Sequence, residues 1–223
     1  MNDDELWAAI DAQRLRTIDL LETITPAEWT RPSLCEGWTV RDVAAHLTLQ
    51  QLTLGDGLRA ALRHPGSLNH MIQASARARS ELPIERIVAE IRGMVGSRRH
   101  NVGVTPMETL VDIVVHGQDM AVPLGRSLPV PTEVAAAAAS HTWSYQASRR
   151  GRRMAKVFRS LPYGGLRLVA SDTDWSGGEG SEIRGPVLSL LLLLTGRRVV
   201  LPQLEGPGAA VLAERLASGR SRV

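Results

Sequence analysis

The chain has 223 residues, 43% hydrophobic and 22% charged, a composition that excludes collagen-like, disulfide-scaffold and wholly disordered proteins. Its net charge of +3 is too small to imply a polyanion partner, so no nucleic-acid role is expected. The most apolar run, Val187 to Leu194, falls far short of the roughly 20 residues that cross a bilayer, so no membrane role is expected either. The single cysteine, Cys35, has no partner for an intramolecular disulfide, and the opening Met1-Asn2-Asp3-Asp4-Glu5 is acidic rather than signal-like. Both features fit a cytoplasmic protein.

In chain order, residues 3 to about 123 read as helices. Leu6, Ile10, Leu15, Ile18 and Leu21 recur at helical spacing until Thr25-Pro26. A turn-rich loop follows, from Arg31 to Gly37. Thr39 is placed to cap a long second helix with Val40, Val43, Ala44, Leu47 and Leu54 on its apolar stripe, broken at His64-Pro65-Gly66. Further helices are expected from Pro83 to Val95 and from Pro106 to Val122, and the four together suggest an antiparallel bundle. After Pro131 come an Ala-rich helix from Glu133 to Ser148, a strand Leu166 to Ala170, and a turn cluster Asp172 to Gly180. A second strand is expected at Glu182 to Arg184, a Leu-rich helix from Pro186 to Gly196, a third strand at Val199 to Leu201, and a last helix from Pro207 to Leu216. The expected fold is therefore mainly α, a helical domain over residues 1–130 followed by a smaller α+β domain over residues 131–223. The tail from Ser218 should fray.

Two of the six histidines stand out. His46 interrupts an apolar helical stretch. His116 follows Asp112 by four residues, so the two share a helix face. A carboxylate and two imidazoles from neighbouring helices are a ligand set that leaves positions open for water or substrate, as catalytic metal sites do. The bland reading is a helix-surface Asp–His pair beside a core histidine. Asp42, one turn before His46, and Asp119, three residues after His116, are placed to hold the second ring nitrogens of the two histidines, with Asp119 as a further ligand the alternative. Cys35 is read as a small buried hydrophobe, with a reactive thiol as the alternative. Trp29 and Trp38 are read as anchors of the loop, and Trp175 as a packing residue. The basic run Arg149 to Arg159 reads as a solvated linker face. Arg167 and Arg184 are candidate clamps for a substrate carboxylate, with surface ion pairing as the plain alternative.

The segment Pro32-Ser33-Leu34-Cys35-Glu36-Gly37-Trp38-Thr39-Val40-Arg41-Asp42-Val43-Ala44-Ala45-His46-Leu47, preceded by Glu28-Trp29, resembles the mycothiol-dependent maleylpyruvate isomerase family. Val115-His116-Gly117-Gln118-Asp119-Met120-Ala121 resembles its second motif, and Asp172 to Ser176 with Arg184-Gly185-Pro186 resembles its C-terminal part. The resemblance implies a DinB-like four-helix bundle that holds a divalent ion, usually zinc, between His, a carboxylate and His. His46 matches the first ligand and His116 the last, while Asp112 stands where the family usually has Glu. It also implies mycothiol as thiol cosubstrate, and with it an actinobacterial source. That origin agrees with a chain in which Lys156 is the lone lysine among 26 basic residues.

The function expected is metal-dependent thiol S-transfer or isomerisation on a small electrophilic metabolite, by a monomer or homodimer. Two alternatives stay open. One is a non-catalytic small-molecule-binding or sensor module on the same bundle, which the Asp112 departure favours. The other is a metal-dependent hydrolase, in which water takes the place of the thiol.

Overall fold

A computed structural model describes residues 1–63, 66–147 and 162–219. They divide into two compact units, Met1–Pro129 and Val130–Val223. The basic run Arg149 to Arg159 lies outside the described residues, as does the end of the tail.

The first unit is helical. Helix α1 (Asp3–Thr23) starts on a capping box in which Asn2 and Glu5 satisfy each other's backbone N–H groups. The short α2 (Pro26–Trp29) follows, then α3 (Val40–Leu47), whose Thr39–Asp42 capping box fixes the entry to the helix that carries His46. Helices α4 (Leu54–Arg63), α5 (Leu68–Ser80), α6 (Ile84–Arg92) and α7 (Pro106–Ala121) complete the unit. Helix α7 starts on a third capping box, between Thr105 and Glu108. Helices α1, α3, α6 and α7 pack around one core that includes Ile18, Val43, Leu47, Ile87, Ile91, Ile113 and Met120, and α5 lies along α3.

Three details depart from the sequence reading. The second helix is not continuous: it ends after Leu47, where the Thr48 hydroxyl donates back to Ala45 O at 2.7 Å. It restarts at Leu54, where Thr53 and Asp56 bond reciprocally. The stretch after Gly66 forms α5, capped by Ser67 accepting from His70 N, where no helix was expected. Leu15 is 46% exposed because it sits half a turn away from Leu6, and Arg14 takes the inward place. Arg14 is fully buried, and its Nη1 donates to Met94 O at 2.8 Å and to Asp11 Oδ1 at 3.1 Å. Burial pulls the Arg14 pKa down, with Asp11 opposing it.

The second unit holds α8 (Thr132–Ala147), α9 (Val187–Leu194), α10 (Pro207–Gly219) and a three-stranded sheet. Strand β1 (Leu166–Ala170) lies between β2 (Ser176–Gly178), antiparallel, and β3 (Ser181–Gly185), parallel. The register pairs Leu168 with Gly177 on one side and with Ile183 on the other. To pass from one flank of β1 to the other, the chain folds under the start of β1 at Gly180. There φ is +120°, and a Cβ would lie 2.1 Å from Gly165 O. Alternation puts Leu166, Leu168, Ala170 and Ile183 on the buried face, with β1 packed against α9 and β3 against α10. Val199 to Leu201 is no strand. It belongs to a 3₁₀ segment, Arg198–Gln203, containing Pro202, which lacks the N–H a ladder needs. Trp175 is a packing residue, as expected: it is 9% exposed and donates its indole N–H to Ser140 Oγ at 2.9 Å.

Candidate metal centre

His46 comes from the last turn of α3, and Asp112 and His116 come from successive turns of α7. The helices bring the three side chains together. Asp112 Oδ1 lies 3.4 Å from His46 Nε2 and 3.3 Å from His116 Nε2, and the three ligand atoms all fall within 4.8 Å of one another. Donor atoms around one tetrahedral zinc, at bonds of ~2.0–2.1 Å, stand roughly 3.3 Å apart, so the set fits an ion with little movement. The two imidazole rings meet edge to face with centroids 4.8 Å apart, and the Trp38 ring meets His46 in the same way at 5.6 Å. The site is open on one side, where Asp112 is 30% exposed.

The electrostatics suit a cation. Burial pushes the Asp112 carboxyl up, but the His116 and His46 imidazoles outweigh it and hold the group well below the usual carboxylate range. Burial pulls His116 down, yet Asp112 and, with it, Cys35 and Asp119 raise it well above its ordinary value. Without an ion, the proton on His116 plays the part of the positive charge.

Asp119 stands where the sequence reading placed it. Its Oδ2 accepts from His116 Nδ1 at 2.8 Å, and the side chain is fully buried. A carboxylate can only accept, so Nδ1 carries a proton held by Asp119, and Nε2, which faces Asp112, is the nitrogen whose proton an ion would displace. Asp42 does not act this way on His46. Its Oδ2 accepts from the Thr39 N–H and hydroxyl at 2.9 and 2.8 Å, because the helix start claims it. His46 Nδ1 is buried without a hydrogen-bond partner among the described residues. Arg167 and Arg184 lie in the second unit, on one face of the sheet with Glu182 between them in the register. Arg184 is ion-paired to Glu182 at 2.7 Å, so its guanidinium makes a surface ion pair.

Two neighbours were not picked out as site residues. Cys35 packs against the core, as its hydrophobic reading expects, but its Sγ also donates to Asp119 Oδ2 at 3.0 Å and lies 3.7 Å from His116 Nδ1. The Cys35 loop is tied to α7 by Leu34 N donating to Asp119 O at 3.1 Å. Gln50, 5% exposed, donates its Nε2 to Asp112 Oδ2 at 2.7 Å. Its spacing of four from His46 was the available signal. Trp29 is 3% exposed and anchors the loop from below, as expected.

Residues 10–100 match the profile described as the Mycothiol maleylpyruvate isomerase N-terminal domain, a span that includes Cys35, His46 and Gln50 and ends before Asp112. No curated protein sequence matches the chain. Among solved structures, a variant of the mycothiol-dependent maleylpyruvate isomerase superposes with a TM-score of 0.60 at 14% identity, covering 94% of each chain. A second structure of the mycothiol-dependent maleylpyruvate isomerase superposes at 0.57 and 15% identity, covering 88% of this chain and 90% of that one. The fold is mainly α, a DinB-like helical bundle followed by a smaller α+β part. Residues 10–100, which include the first of the sequence motifs, thus match the N-terminal domain model of the mycothiol-dependent maleylpyruvate isomerase family, and nearly the whole chain shares that isomerase's fold.

Proposed function

We propose that this chain is a divalent-metal enzyme, zinc being the ion that the donor set suits best, with a low-molecular-weight thiol of the mycothiol type as cosubstrate. It transfers or adds that thiol to a small electrophilic metabolite, in the cytoplasm. The observation that carries this reading is the convergence of Asp112 Oδ1 on the Nε2 atoms of both His46 and His116. When bound there, the ion would lower the pKa of a coordinated thiol so that sulfur is nucleophilic at neutral pH.

The residues of the chain do the rest. His46, Asp112 and His116 would hold the ion and leave one side open. Asp119 holds the Nδ1–H of His116, so that Nε2 stays a lone-pair donor. Trp38 packs on the His46 ring and limits its rotation. In an isomerisation, the sulfur adds to one carbon of a conjugated double bond and the electron pair moves to the conjugated carbonyl oxygen. The former double bond rotates, and the pair returns as the C–S bond breaks. In a transfer, the C–S bond is kept and a leaving group departs.

Metal analysis of protein purified without a metal-binding tag tests the reading. The expected result is close to one zinc per chain, lost in His46→Ala and His116→Ala, together with thiol-dependent isomerisation of a cis-enedioate or S-alkylation of an electrophile. Protein that takes up no divalent ion on incubation with zinc and reductant would overturn it.

A further inference from the structure

Gln50 lies one turn beyond His46, in the segment where α3 has ended and the backbone tightens into 3₁₀-type turns. Gln50 Nε2 donates to Asp112 Oδ2 at 2.7 Å, and because a carboxylate only accepts, the orientation of the amide is fixed. Two consequences follow. Asp112 keeps only Oδ1, the oxygen that faces both imidazoles, for an ion. The other end of the amide, Oε1, is buried and has no hydrogen-bond partner among the described residues. Oε1 and Nε2 share one carbon, so this acceptor sits next to the Asp112 carboxylate.

A buried acceptor without a partner is costly, and a site built this way selects ligands that bring a donor. The electrophiles that such chemistry uses, conjugated ketones and carboxylates, present acceptors. A cysteine-type thiol brings an amide N–H close to its sulfur. We propose that Gln50 is a positioning and specificity residue: Nε2 holds Asp112 as a one-oxygen ligand, while Oε1 receives the amide N–H of the thiol cosubstrate as its sulfur enters the site. The inference rests on the metal–thiol reading above.

The test uses the cobalt(II)-loaded full chain and two neutral thiols, N-acetylcysteamine, which carries an amide N–H, and 2-methoxyethanethiol, which carries no donor besides its thiol. The thiolate-to-cobalt charge-transfer band reports binding without turnover. Wild type should prefer N-acetylcysteamine about tenfold. Gln50→Leu and Gln50→Met, both near the volume of Gln, should lose that preference and release cobalt to a chelator about tenfold more readily. Circular dichroism shows which variant is folded, and either one suffices. An unchanged preference in a folded variant would overturn the role of Gln50. No band with either thiol in the wild type would overturn the thiol reading itself.

Discussion

Asp119 touches the candidate centre through His116, and that makes it a sensitive probe of the centre. Its Oδ2 accepts from His116 Nδ1 at 2.8 Å in a fully buried setting, and it also accepts from Cys35 Sγ at 3.0 Å. Asp119→Asn keeps the shape and one acceptor oxygen but removes the charge. A charge-assisted bond contributes about 1.5–3 kcal/mol and a neutral one about 0.5–1.5 kcal/mol, so the variant loses about 1–1.5 kcal/mol of support for the Nδ1–H tautomer. That is roughly a tenfold loss of zinc affinity. Asp119→Ala leaves a buried N–H without its acceptor and should approach a hundredfold loss, the upper end for such second partners of metal-bound histidines (about 10–100-fold). Competition against a fluorescent zinc chelator at fixed pH reads both values, and the unfolding midpoint of the metal-free proteins separates affinity from stability. An Asp119→Asn protein that holds zinc as tightly as wild type would refute the reasoning.

Zinc binding should release protons. Asp112 raises His116 above its ordinary value although burial opposes it, so near pH 7 the metal-free protein keeps a proton that the ion must displace. Apparent zinc affinity should fall as the pH drops, and titration calorimetry in buffers of different ionisation enthalpy should read release approaching one proton per ion; release near zero would contradict the paired His116–Asp112 geometry. The metal-free fold has the opposite sign for this histidine. With the folded value raised, His116 stabilises below its unfolded value, and the gain is lost as the pH rises through the folded one. Arg14 is fully buried, and its Nε and Nη2 have no partner among the described residues, so desolvation offsets most of what its Nη1 bonds contribute. Arg14→Met should change stability by no more than about 1 kcal/mol in urea unfolding, whereas Arg14→Ala, which leaves a cavity, should cost about 2–4 kcal/mol. A loss above about 3 kcal/mol in Arg14→Met would show that the guanidinium is needed.

Much of the first unit was legible because local signals agree there. Asn2, Thr39 and Thr105 each start a helix with an acidic residue three positions on, and apolar spacing marks the buried faces. The Asp112–His116 pair follows from helix geometry alone. The match of His46 to that pair did not follow from spacing; it needs α3 packed on α7, which only the whole bundle decides. Gln50 was hidden by the same limitation: its spacing of four puts it on the His46 face, but its bond to Asp112 depends on α3 meeting α7. Val199 to Leu201 misled through β-branched propensity, which Pro202 and the packing on α9 override. Asp42 misled because one carboxylate had two local uses, and the helix cap won.

The ligand set has one more consequence. His46 and Asp112 are 66 residues apart, on helices that meet only when the bundle has formed. An ion held between them binds the folded chain and not the open one, so part of its binding energy becomes folding energy: about 4 kcal/mol when free ion exceeds the dissociation constant a thousandfold. A cell short of that metal would hold less of the folded protein as well as less of its activity, because proteases act on whatever fraction is open. The amount of protein present would then follow metal supply with no regulator beyond the fold itself.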